Sequence, residues 1–169
     1  MTQRIKLQMQ DYDLNESKHR LIDIIEQSLS LVHPALIEKQ IIINKQYLAD
    51  VNLICDQLHL KEVLINLFTN AVEAMVVGGI LEIDLSVKHK IAQLLIKDNG
   101  RGILDTDMPY VFNPFFTTKK QRRNYGLGLS YCYGVMKKHG ASIRIKSRSD
   151  IGTEVCLTFP RKKVMYYSI

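Results

Sequence analysis

The segment from residue 57 to residue 76 constrains the fold more than any other stretch of this chain. Leu60, Val63, Leu64, Leu67, Phe68, Ala71 and Met75 recur at spacings of three and four, the period of one helix face. An apolar stripe that wide must be buried against another element. Glu62, Asn66, Asn70 and Glu73 fall on a different face of the same helix. Gly78-Gly79 stops it, and strands are predicted at about 80–87 and 91–97, joined by the polar turn Lys88 to Lys90.

The flanking segments extend this pattern on both sides. Residues 20–38 predict a helix through Leu21, Ile24, Ile25, Leu29, Val32, Leu36 and Ile37. Ser17 can cap it, and Pro34 is expected to kink or split it. Residues 40–44 read as a short buried strand and Val51 to Cys55 as a second. Downstream, a helix at about 127–139 is stopped by Gly140, and strands at about 142–148 and 153–159 form a hairpin around Ser149 to Gly152. Between them, residues 104–125 lack periodicity, and a loop of that length inside a domain is often functional. This order predicts an α+β fold: a two-layer α/β sandwich whose mixed sheet is covered on one face by helices.

Several function classes are excluded early. The 169 residues suit one domain. No apolar run approaches the roughly 20 residues that span a bilayer, and the opening residues show no signal-peptide core. Cys55, Cys132 and Cys156 are odd in number and far apart, so neither a disulfide framework nor a zinc site is expected, and a reducing compartment suits them. The formal net charge of +6 hides an asymmetry. Residues 1–85 carry 7 Lys+Arg against 12 Asp+Glu, whereas residues 86–169 carry 16 against 5. The basic half fits a polyphosphate ligand, an anionic surface or a plain solvated face. It holds no recognised nucleic-acid motif, and its aromatics do not alternate with basic residues on the predicted strands, so no nucleic-acid partner is expected.

Four motifs carry chemistry, each with a plainer structural reading beside it. Gly126-Leu127-Gly128-Leu129 places two glycines at a helix start, where unpaired N–H groups and the helix dipole favour phosphate; it also reads as a flexible helix entry. Asp98-Asn99-Gly100-Arg101-Gly102 follows a strand, and its carboxylate can accept from an exocyclic amine; Asn-Gly is equally a common turn. Asn66 and Asn70 lie one helical turn apart and can help hold Mg²⁺, or simply decorate a polar face. Phe112, Phe115 and Phe116 sit in a polar loop followed by Lys119, Lys120, Arg122 and Arg123, an arrangement suited to a lid anchored by aromatics and tipped with cations, or to a basic surface run.

Together and in this order, the motifs resemble the catalytic and ATP-binding domain of bacterial sensor histidine kinases, a branch of the Bergerat-fold ATPases that also includes gyrase and heat-shock chaperone relatives. The family's N box is matched by Asn66 to Ala71, its G1 box by Asp98 to Gly102, its F box by Phe112 to Lys119 and its G2 box by Gly126 to Leu129. A final G box is matched by Gly152-Thr153. The resemblance covers about residues 20–160. It implies ATP and Mg²⁺ as ligands, with Asn70 on the metal and Asn66 near the phosphates. Asp98, Gly100, Gly102 and Thr153 would surround adenine, and Gly126, Leu127, Gly128 and Leu129 would hold phosphate. Lys119 would reach the γ-phosphate, which gives Asn66, Asn70 and Lys119 the catalytic roles.

The chain also departs from a complete kinase of that family. His19 is followed by Arg20 and His33 by Pro34, so neither matches an acceptor histidine. His59, His89 and His139 are expected to be packing or surface residues. The resemblance therefore implies a catalytic domain at 19–163, preceded by linker from dimerisation helices at 1–18 and followed by a tail at 164–169. It would be monomeric, without membrane contact and cytoplasmic. The ATP γ-phosphoryl would pass to a histidine on a separate dimerisation domain, with a response regulator downstream. ATPase relatives carry a glutamate base where this chain has Asn66, and serine-kinase relatives share the fold; both remain alternative readings.

Overall fold

A computed structural model describes residues 12–117 and 128–166. In chain order these form β1 (Ser17–Arg20), α1 (Leu21–Glu38), β2 (Ile42–Tyr47), β3 (Val51–Cys55), α2 (Gln57–Ala74), β4 (Ile80–Lys88) and β5 (Ile91–Asp98). There follow α3 (Gly128–Lys138), β6 (Ser142–Arg148), β7 (Gly152–Phe159) and β8 (Val164–Tyr166). Short 3₁₀ turns lie at Met108–Tyr110 and Arg161–Lys163. The main sheet is five-stranded in the order β2-β4-β5-β7-β6. Its β2–β4 pair is parallel and the other three pairs are antiparallel, so the sheet is mixed as the element order predicts.

Strand periodicity gives this sheet a helix-facing side. Leu81, Ile83 and Leu85 on β4, Ala92, Leu94 and Ile96 on β5, and Val155, Leu157 and Phe159 on β7 are buried at every second position. Helix α2 packs on β5 and α3 on β6, while α1 packs against α2. The predicted stripe of α2 is buried from Leu60 to Met75, and each such Leu, Val or Phe contributes about 1.5–3 kcal/mol when removed from water. Asp56 caps this helix by accepting the His59 N–H at 3.2 Å.

Five local expectations need correction. Helix α1 runs unbroken through Pro34, and its expected stripe residue Ile37 is 62% exposed. Ser17 does not cap it: Ser17 begins β1, and the capping position is Arg20, whose side chain makes no capping bond. The strand expected at 40–44 lies at Ile42–Tyr47 as a largely exposed sheet edge, not a buried strand. Phe115 stays 69% exposed, whereas Phe112 packs on Tyr133 of α3 at 5.3 Å between ring centroids.

A second sheet, β1-β3-β8, was not expected. Residues 12–20 join the domain through it: β1 pairs with β3, Tyr12 stacks on His59 at 4.2 Å, and the Asn15 N–H donates to Asp56 at 2.8 Å. Strand β8 pairs with the other edge of β3. Among the described residues no helix is long and apolar enough to cross a membrane.

Candidate functional site

Asp98 ends β5 with its side chain on the helix-facing side of the sheet, 7% exposed. A carboxylate there needs donors. Two backbone N–H groups supply them, from Gly100 at 2.8 Å and from Thr153. Burial pushes the Asp98 carboxyl above the usual carboxylate range, and these two N–H groups pull it part of the way back. The group is thus an acceptor with capacity for a further donor.

Glycines let three chain segments crowd around it. A Cβ on Gly100 would sit 2.6 Å from the Ala74 carbonyl oxygen, and the Arg101 N–H donates to that same oxygen at 3.0 Å. Gly102 has φ +69°, and a Cβ on it would collide with the Arg148 carbonyl oxygen. The last turn of α2 is held in place by Lys39, whose Nζ donates to the carbonyls of Val72 and Met75, both at 2.8 Å. That helix end has no basic residue of its own, so Lys39 supplies the missing donors and the favourable charge.

Strand register extends the Asp98 corner. Thr153 lies opposite Asp98 on one side and Ser147 on the other, so the three form one row across β5, β7 and β6. The neighbouring row, Ile96, Val155 and Ile145, is apolar. Ser147 Oγ accepts the Ile103 N–H at 2.8 Å, donates to the Gly152 carbonyl at 2.9 Å and meets Thr153 Oγ1 at 2.8 Å. Sequence reasoning missed Ser147. Its signal is register: once Asp98 and Thr153 pair, residue 147 joins them.

The other end of the site lies between two helices. Asn66 is 2% exposed, so it occupies a buried position and not a solvated polar face. Among the described residues its Nδ2 has no hydrogen-bond partner. Leaving a buried donor unpaired costs about 1–3 kcal/mol, so the amide is suited to a ligand acceptor. Gly128, the first residue of α3, faces this amide; a Cβ there would stand 3.5 Å from Asn66 Oδ1. Asn70 follows one turn along α2 and is half-buried, and Leu129 packs partly buried against the core. Lys119, Gly126 and Leu127 lie outside the described residues, as do Lys120, Arg122 and Arg123.

Helix α3 is fixed from behind by a polar cluster. His59 Nδ1 and the Tyr131 hydroxyl lie 2.8 Å apart, His139 Nε2 accepts the Asp56 N–H at 2.9 Å, and Lys138 reaches the Tyr12 carbonyl. His59 and His139 are both buried, as packing histidines. Burial holds the His59 imidazole below its ordinary value despite the opposing charge of Asp56.

A buried acceptor at one end and an unpaired amide beside a helix start at the other fit a ligand with a base and a phosphate chain. The family model described as histidine kinase-, DNA gyrase B-, and HSP90-like ATPase matches residues 55–163, and the chain belongs to that family. Its similarity within the family lies with the sensor kinases. Sporulation kinase D of Bacillus subtilis (strain 168) is 34% identical over 142 residues, which are 83% of this chain and 28% of that protein. The solved catalytic domain of histidine kinase ThkA has a TM-score of 0.78 and 26% identity, covering 88% of this chain and 97% of that one. ThkA in complex with the response regulator protein TrrA gives a TM-score of 0.73 at 25% identity, over 86% of this chain and 42% of that chain. Fold and relatives agree on an ATP-binding catalytic domain of the sensor-histidine-kinase kind. The chain spans 28% of sporulation kinase D and 34% of sporulation kinase C, about a third of such relatives.

Proposed function

We propose that this chain binds Mg-ATP and delivers its γ-phosphoryl group to a histidine on a separate dimerisation domain, for onward transfer to a response regulator in the cytoplasm. The observation that carries this reading is the buried Asp98 carboxylate, held by two backbone N–H groups with an acceptor position to spare. It suits the amino group of adenine. At the far end, the unpaired Asn66 amide and the start of α3 suit phosphate oxygens. The described residues hold no group of three or more His, Cys, Asp or Glu placed to hold a metal ion. A magnesium ion held by the Asn70 amide oxygen would therefore take its remaining ligands from the phosphates and water, and would supply charge neutralisation there.

The chain's own residues would bind and orient. Asp98 and Thr153 set the base, Asn66, Gly128 and Leu129 set the phosphates, and Lys119 answers the charge on the transferring group. The P–O bond to ADP breaks as a P–N bond to the acceptor imidazole forms, ADP leaves with the electron pair of the broken bond, and the imidazole proton passes to solvent. Asn66 cannot serve as a general base, because its amide has no proton-accepting pKa in this range; that favours transfer to an imidazole over activation of water.

The test is a calorimetric titration with Mg-ATP and Mg-GTP, followed by incubation with a supplied dimerisation domain and γ-labelled ATP. The expected result is saturable binding of ATP in preference to GTP, with label on the acceptor that is stable to alkali and lost in acid. Alkali-labile, acid-stable label would assign the product to serine instead. Absence of ATP binding would overturn the reading.

A further inference from the structure

A hydroxyl carries one proton, and that limit sets the polarity of the Asp98 corner. Ser147 Oγ lies 2.9 Å from the Gly152 carbonyl oxygen, which can only accept, so the Ser147 proton belongs there. The same Ser147 oxygen accepts from the Ile103 N–H at 2.8 Å. Its remaining contact is Thr153 Oγ1 at 2.8 Å. With the Ser147 proton already committed, the proton of that bond must come from Thr153. The Thr153 hydroxyl then turns its proton toward β6 and keeps its lone pairs for whatever sits beside Asp98 in the next position of the row.

Resting on the proposed ATP site, we infer that Ser147 is a specificity-determining positioning residue: by fixing the Thr153 proton it leaves Asp98 and Thr153 both as acceptors at the base edge. Two acceptors match a 6-amino purine, directly or through a water they both orient. A 6-oxo purine presents an acceptor in the same place and meets two sets of lone pairs. Without Ser147 the Thr153 hydroxyl can rotate and donate, and the penalty against a 6-oxo group falls.

ATP and ITP isolate this effect, because their purines differ in the 6-amino and 6-oxo groups and the proton at N1. Affinities of the full chain for Mg-ATP and Mg-ITP are compared with those of Ser147→Ala, Ser147→Val and Ser147→Thr. The Val and Thr variants share shape and strand preference and differ in the hydroxyl. Wild-type protein and Ser147→Thr are expected to prefer ATP. Ser147→Ala and Ser147→Val are expected to narrow that preference about fivefold, the weight of one hydrogen bond, chiefly by binding ITP better. Equal weakening toward both nucleotides, or an unchanged ratio in Ser147→Val, would reduce Ser147 to a structural residue and overturn the inference. Wild-type protein that binds neither nucleotide, or both alike, would instead overturn the reading of the site on which it rests.

Discussion

The two ends of the candidate site are built by different physics. The Asp98 end is a row of a β ladder, where Ser147, Thr153 and Asp98 are locked by register and by hydrogen bonds. The Asn66 end is a seam between α2 and α3, and among the described residues it leaves a buried donor without a partner. The first end is complete before any ligand arrives, so it can select by preset polarity. The second end stays under-satisfied, so a ligand improves the protein's own hydrogen bonding there. Selection and attachment can therefore be broken separately.

The largest effect is expected at the helix seam. Asn70→Ala should remove magnesium-dependent nucleotide binding, weakening it about a hundredfold or more, with the fold largely intact because Asn70 is half-buried and not in the core. Titrations with and without magnesium decide it, and an unaltered affinity would take Asn70 out of the site. Next come the glycines, which sharpen the contrast between the ends. Gly102→Ala puts a methyl onto the Arg148 carbonyl at a φ of +69° and should destabilise the fold by about 2–4 kcal/mol in urea unfolding. Gly128→Ala meets Asn66 Oδ1 at an ordinary 3.5 Å and should cost less than about 1 kcal/mol. Comparable losses at both positions would mean that the seam is as tightly filled as the ladder.

Much of this was legible in the sequence, and the reasons differ by element. Helix α2 and strands β4, β5 and β7 show through their periods because each buries one face. Asp98, Gly100 and Gly102 show because a short polar motif follows a strand end. Strand β2 was misjudged because β-branched residues signal a strand without saying which face is buried; Ile42 is 55% exposed at the sheet edge. Strand β1 was hidden because Ser17 to Arg20 has no apolar alternation, and its place depends on pairing with β3. Ser147 and Lys39 were missed for a similar reason. One acts through a register fixed by distant residues, and the other reaches from the end of α1 to carbonyls on α2. Neither relation is local in sequence.

A middle-sized effect tests the ladder end. Asp98→Asn should reduce the preference for ATP over GTP about tenfold, because the amide can present a donor where the carboxylate offers lone pairs. Its stability should move the other way. The native carboxyl holds its proton more tightly than the unfolded one, since burial raises it. That group favours the fold while protonated and loses this contribution as pH rises through the carboxylate range. Asn does not titrate, so the melting temperature of Asp98→Asn relative to wild type should climb between pH 4 and pH 7. A flat difference would mean that Asp98 is better solvated than its burial implies.

The smallest expected effect lies behind the seam, and its sign is opposite. The His59 imidazole is held below 6.5 by burial, with Asp56 and Glu62 opposing that shift and Lys138 and His139 adding to it; the Tyr12 ring and Tyr131 hydroxyl complete its surroundings. The native state therefore binds the His59 proton less readily than the unfolded chain. Its contribution is present above 6.5 and is lost as pH falls through that value toward the lowered folded one. His59→Gln keeps an amide for the Tyr131 hydroxyl and removes the titration. At pH 7.5 it should be less stable than wild type by under about 1 kcal/mol, and at pH 5.5 the gap should close or reverse. Melting curves at the two pH values measure this directly. A gap that stays constant would show that His59 contributes shape and not charge, through its stack with Tyr12 and the packing of α2 on α3. A closing gap would mean that the back of the α2–α3 seam loses stability under acid while the Asp98 ladder gains it.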